Sequence, residues 1–246
     1  HLSILDVASA IPIGSNLDKN AFLKGSLHYI SKNPMIPIKL FLDAMTRRRV
    51  PVITLSSFIS SRGEILEPTA RFTEVRVREF FNTGRMQRVM ARGRHELYPV
   101  LRNTFLIAGL LRDMRVKKKR KRSCGEDAAD IKDSATDLNS SSVIEELVYF
   151  FSYAVAEFLA ARGYPVLYHA DKWEQVPVVY PAKRTVLART GAHRYTIIPR
   201  YNSVVNLPRY THMTSPYRRY ADLVMQRVLT AAIEGKVSPY SVDQMG

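Results

Sequence analysis

Residues 210–223 read YTHMTSPYRRYADL, and their types point to anion chemistry. Ser215 suits a helix N-cap and Pro216 the first helical position. Tyr220, Leu223, Val224, Val228, Ala231 and Ala232 then recur at helical spacing, and Gly235 suits the far end. Arg218 and Arg219 therefore fall in the first turn. The helix start carries partial positive charge, so a cation there is unfavourable by about 0.3–1 kcal/mol. Two compensations are open. Arg218 and Asp222, at i and i+4, can pair on the surface for about 0.3–0.5 kcal/mol. Alternatively an external phosphate can sit on the free backbone N–H groups and the guanidinium forks. The hydroxyls of Thr214 and Ser215 would add donors.

Composition says what such a turn belongs to. The chain has 246 residues, is 46% hydrophobic and carries a net charge of +15. That supports a sizeable core and a polyanionic partner, nucleic acid above all. Cys124 is the single cysteine, which excludes a disulfide framework and a cysteine metal cluster and fits an intracellular, reducing compartment. The longest apolar stretch, LVYFFSYAVAEFLAA (147–161), is short for a membrane span and contains Ser152 and Glu157. It reads as a buried helix, with no membrane partner. The chain opens on HLSILDVASAI, already mid-strand, so a piece of a longer protein is expected.

The elements around the turn read as α+β, since strands and helices mix without strict alternation. LSILDV (2–7) reads as a strand and a short helix follows from about Leu17. RVPVITLSSFI (49–59) and EILEPTARFTEVRV (64–77) form a hairpin, the second strand broken near Pro68. Residues 80–112 are basic and partly helical. KKKRKR (117–122) opens a polar stretch, 113–142, expected to be a disordered insertion between parts 1–112 and 143–246 of one domain. That run reads equally as a nuclear-localisation signal, an RNA-gripping arm or solvated linker. Ser142 and Glu145 form a capping box for a helix over 143–162 ending at Gly163. YPVLYH (164–169) reads as a strand, and 170–209 as irregular with short extended pieces. The arginines at 85, 88, 92, 94 and 102 read as lining for a nucleic-acid channel or as ordinary surface.

YTHMTSPYRRYADLVMQRVL (210–229) closely resembles the signature of the ribonuclease II family, the RNB catalytic domain: Y-T-H-F-T-S-P-I-R-R-Y-x-D-L-x-x-H-R-x-L. SILDVASAIPIGSNLDKNAFLKGSLHYI (3–30) and VIEELVYFFSYAVAEFLAARGYPVLY (143–168) resemble two further family segments, in the family's order. The resemblance implies an RNB-type mixed sheet packed with helices. It also implies a processive 3′-to-5′ exoribonuclease that degrades single-stranded RNA to nucleoside monophosphates with Mg²⁺, alone or within an RNA-processing complex. By position, Arg218 would steady the scissile phosphate and Tyr29 would stack on terminal bases. Glu145 or Glu146 would contact the ribose 2′-OH, with Thr214, Ser215 and Arg219 beside the RNA.

Several residues depart from that pattern. The family's metal ligands form a D-x5-D-x-D-D cluster, and no such spacing occurs in these 246 residues. Asp6 reads as structural, so no metal ligand is assigned. The family's H-F-G-L becomes NSVV (202–205), R-V-H becomes His169-Ala170-Asp171, and H-R becomes Gln226-Arg227. A non-catalytic RNB-like module that binds RNA or serves an RNA–protein assembly is the alternative expectation.

Overall fold

The computed structural model describes residues 1–25, 35–37, 39, 49–124, 138–176 and 186–245, with the backbone alone at 117–124, 172–176 and 186–193. Tyr29 and the acidic run 125–137 lie outside them.

Three short segments build the first sheet. Strand β1 (Leu2–Leu5) pairs antiparallel with β2 (Val50–Ile59), from Leu2 opposite Leu55 to Leu5 opposite Val52. Strand β3 (Ile65–Val75) lies on the other side of β2, also antiparallel. β2 is thus the central strand, which is why Val50, Val52, Ile53, Thr54 and Leu55 are all buried rather than alternating. The break expected near Pro68 is a bulge inside a continuous strand. The register shifts between Ser56 and Phe58, and Glu67 takes a positive φ of 48°. Proline cannot donate to the ladder, and a bulge is where a sheet tolerates that.

Helix α1 (Asn16–Lys24) is capped by Ser15, whose Oγ accepts from the Asp18 N–H at 3.2 Å. Helices α2 (Thr83–Arg92) and α3 (Tyr98–Cys124) follow the sheet. Gly63, in the turn between β2 and β3, has φ 78° and a Cβ there would collide with the Leu110 carbonyl oxygen. Glycine therefore lets α3 close directly onto the hairpin. Helical backbone in α3 continues through KKKRKR to Cys124, deep into the stretch expected to be disordered.

Helix α4 (Ser140–Ala160) begins three residues earlier than expected. Its cap is Asn139, whose Oδ1 accepts from the Ser142 N–H at 2.9 Å, rather than Ser142 itself. Residues 164–167 are not strand. The extended chain starts at Tyr168 and forms β4 (Tyr168–Val176), paired antiparallel with β5 (Val186–Thr196). The region 170–209 is therefore more regular than its sequence suggests. Among the described residues the ladders are antiparallel and helices pack on them, which is the α+β architecture expected.

Helix α5 (Tyr220–Ile233) closes the core, with Ile53 and Leu55 of β2, Phe151, Val155 and Leu159 of α4, and Met225, Val228 and Leu229 packed together. The short helix α6 (Val242–Met245) follows. Among the described residues no helix is long and apolar enough to cross a membrane.

α5 also buries polar groups. The Gln226 side chain accepts from the N–H groups of Val7 (3.1 Å) and Ala8 (3.2 Å) and donates to the Leu5 carbonyl (3.0 Å). Arg227 pairs with Asp18 at 2.8 Å and donates to the Ile11 carbonyl at 2.8 Å and to the Tyr240 hydroxyl at 2.7 Å. Burial pushes the Asp18 carboxyl up. The Gly14 N–H, the Arg227 guanidinium and the Tyr220 hydroxyl outweigh this and hold it below its ordinary value.

Asp18→Asn should lower unfolding free energy by about 3–5 kcal/mol in urea at neutral pH, because it strands a buried guanidinium. The pH dependence has a definite sign. A carboxyl depressed in the folded state stabilises above its unfolded value of about 3.9, and that contribution is lost as pH falls through the folded value. The gap between wild type and Asp18→Asn should therefore narrow below pH 4, as read by urea titrations across the acid range.

Candidate nucleic-acid interface

The turn that the sequence singles out is not the first turn of a helix. Residues 216–218 form a separate turn and α5 starts at Tyr220, with Arg219 in extended backbone at the N-cap. Ser215 is not that cap. Its carbonyl accepts the N–H groups of both Arg218 and Arg219 at 3.1 Å, and its own N–H donates to Asp222 Oδ2 at 2.7 Å.

Asp222 decides the geometry. It is fully buried in the first turn of α5. Arg219 grips it with both arms of its fork, Nε to Oδ1 at 2.7 Å and the second nitrogen to Oδ2 at 2.8 Å. The internal pair is thus Arg219 with Asp222 at i, i+3 and buried, not Arg218 with Asp222 on the surface. A carboxylate near a helix start also opposes the positive end of the dipole. Burial pushes the Asp222 carboxyl up, and the Arg219 fork, the Ser215 N–H and the charge of Arg218 act against that rise. The Tyr220 N–H donates to the Gly25 carbonyl at 2.8 Å, which ties the end of α1 to this start.

The turn stands between two cavities. Thr214, Pro216 and Tyr217 border one of about 350 Å³, with β1 and β2 on its other side. Arg219 borders a larger one of about 810 Å³ walled by Phe22, His169, Tyr195, His212 and Tyr220. His169 and His212 stack there, ring centroids 4.2 Å apart, and the Tyr195 hydroxyl shares a 2.7 Å hydrogen bond with His212 Nδ1. β4–β5 pairing sets His169 directly opposite Tyr195. Burial, with Asp222 adding to it, pushes the Tyr195 phenol well up, while Arg219 opposes. Burial likewise pushes Tyr210 up to about 12, again against Arg219. These two phenols stay protonated, so both are uncharged rings that can hydrogen-bond.

The other expected residues are placed as follows. Thr214 and Arg218 are half-buried and Ser215 is buried. Glu145 is exposed and Glu146 is buried. The Glu146 carboxylate is paired through both oxygens with Arg115, which also donates to the Val205 carbonyl at 2.7 Å and lies 5.0 Å from the Tyr149 ring. Glu146 is thus a structural anchor between α3 and α4. The His169–His212–Tyr195 wall had no single signal in the sequence, because its members come from three segments and 170–209 reads as irregular.

The two sequence departures around this wall meet. Asp171 Oδ1 accepts both the N–H and the hydroxyl of Ser203 at 3.0 Å, and the Asn202 amide donates to the His169 carbonyl at 2.9 Å. Asn202 Oδ1 also accepts the N–H groups of Val204 (3.1 Å) and Val205 (3.2 Å).

A hard divalent cation needs several carboxylate oxygens converging on one point. Among the described residues no three His, Cys, Asp or Glu side chains group in that way. Asp18, Asp222 and Glu146 are each committed to an arginine, and Asp6 accepts from the Ser9 N–H at 3.1 Å. The described residues do not fit the Mg²⁺ that the motif implies.

Residues 181–235 match the family model of the RNB domain. The fold is that of an RNB domain. RNase R of Mycoplasma genitalium in complex with ribose-methylated single-stranded RNA superposes with a TM-score of 0.74 at 15% identity, over 99% of this chain and 47% of that one. Yeast Ssd1, described as a pseudonuclease, superposes with a TM-score of 0.69 at 18% identity, over 97% of this chain and 36% of that one. In sequence, virulence protein SSD1 of Candida albicans is 48% identical over 40 residues, 16% of this chain and 3% of that protein. The chain spans 47% and 36% of these two solved chains and 3% of the curated relative. In this RNB-type domain, Arg219→Gln and Asp222→Asn should each cost about 3–5 kcal/mol. The double variant should cost clearly less than the sum, as a double-mutant cycle in urea would read.

Proposed function

We propose that this RNB-type domain binds single-stranded RNA, and that its described residues hold the strand rather than cut it. The observation that carries the reading is the buried Asp222–Arg219 fork, which fixes the 215–219 turn and so sets the backbone of Arg218 by its 3.1 Å bond to Ser215. A rigid arginine-bearing turn beside an aromatic wall suits a phosphodiester with neighbouring bases, in a chain of net charge +15. The solved relative with RNA bound supports the RNA, and the pseudonuclease relative supports holding without hydrolysis.

Mg²⁺-dependent 3′-to-5′ hydrolysis is the second reading, favoured by the gapless resemblance of YTHMTSPYRRYADL to the catalytic signature, which differs at Met213 and Tyr217. It requires metal-binding carboxylates beyond the described residues. An intracellular setting, with or without an RNA-processing complex, fits either reading.

The chain should bind a 5′-labelled oligouridylate with an affinity that falls steeply with salt. Arg218→Ala should weaken binding by about tenfold, the scale of one charge-assisted contact. The label should stay on full-length RNA with Mg²⁺ as with EDTA. A ladder of shortened products that needs Mg²⁺ and Arg218 would establish the nuclease instead, and salt-insensitive failure to bind would remove RNA altogether.

A further inference from the structure

A second basic surface lies away from the 215–219 turn, on α2. Arg85, Arg88 and Arg92 recur at three and four residues along that helix, which puts them on one face over about 10 Å of axis. Together with Arg94, His95 and Val89 they line a cavity of about 720 Å³. The helix is held from beneath, where Met86 is buried, and Asn82 caps it, its Oδ1 accepting from the Arg85 N–H at 2.8 Å. Its arginine face is exposed. Glu79 neutralises one corner, pairing with Arg85 and lying 3.4 Å from His95 Nε2. Arg88, Arg92 and Arg94 carry the remaining charge of the lining.

A single phosphate would not fill a cavity of that size or meet arginines spread over two helical turns. A run of phosphates would. Beside the cavity, Phe80 is 61% exposed, and its carbonyl accepts from Arg85 at 3.3 Å. Phe81 lies under the same guanidinium at 5.1 Å. An exposed ring next to a row of arginines is the pairing that single-stranded nucleic acid uses, bases on the ring and backbone on the cations. An acidic peptide would have use for the arginines but not for the ring.

We propose that the α2 cavity is a second RNA-backbone site, engaging several consecutive phosphates of one strand, with Phe80 as a base platform. It rests on the RNA-binding reading above and adds a surface to it. The site reads no sequence, because arginine–phosphate contact and ring stacking are indifferent to base identity.

The test uses the full chain and a labelled oligouridylate titrated from about 50 to 200 mM salt. Arg88→Gln, Arg92→Gln and Arg94→Gln combined should reduce the slope of log affinity against log salt by about 2, since each lost phosphate contact on a single strand removes about 0.7. Affinity near 0.1 M salt should fall by about a hundredfold. Phe80→Ala should lower affinity by about tenfold and leave the slope unchanged. Arg102→Gln, an exposed arginine on α3 outside the lining, should change the slope far less than the cavity arginines do. The substituted side chains are exposed, so thermal melts should match wild type.

If wild type binds and the triple variant keeps both affinity and slope, the α2 site is overturned while RNA binding at the 215–219 turn stands. If Arg102→Gln acts as strongly as each cavity arginine, the effect is net charge alone and the site is again overturned. If wild type binds polyglutamate and not RNA, both readings are overturned in favour of an acidic protein partner.

Discussion

Helix α5 must bury three polar side chains, and much of the described structure is arranged to satisfy them. Asp222, Gln226 and Arg227 sit at the centre of the molecule, where an unpartnered polar group is costly. Each is met by a different segment. Gln226 closes on the exit of β1, Arg227 on the loop and helix α1 around Asp18, and Asp222 on the turn before its own helix. These bonds do not add much net stability over an apolar core. They do specify which segment lies where, since any other arrangement would leave a charge or amide buried alone.

That constraint links the fold to the function. Had Arg218 and Arg219 both faced solvent at a helix start, the turn would repel its own dipole and wander. Instead Arg219 is drawn inward by a buried carboxylate, and the cost of an arginine at the helix start is offset by the ion pair. The two adjacent arginines thus have different work despite being chemically identical. One holds the turn; the other stands at the position that the RNB signature gives to phosphate contact.

Two of the departures from the family pattern meet in space. NSVV and His169-Ala170-Asp171 are far apart in sequence, yet Asn202, Ser203 and Asp171 form one hydrogen-bonded unit behind the stacked histidines. Gln226, another departure, supplies one of the buried anchors of α5, next to Arg227, which the pattern keeps. These replacements are integrated into hydrogen-bonded structure, Asn202, Ser203 and Asp171 next to the histidines and Gln226 at the exit of β1.

The sequence by itself determined the apolar stripes of α4 and α5, the β2–β3 hairpin and the basic character. Each rests on local periodicity or on residue type, which a linear reading can see. It could not tell which of Arg218 and Arg219 meets Asp222. Spacing at i+4 and i+3 is equally permitted on a helix, and the choice was made by the 215–219 turn unwinding what looked like the first helical turn. Nor could it find the histidine–tyrosine wall, which β4–β5 register assembles from residues 169, 195 and 212. The role of Glu146 was likewise decided by tertiary structure, because a partner 31 residues away, Arg115, reaches it only when α3 packs on α4.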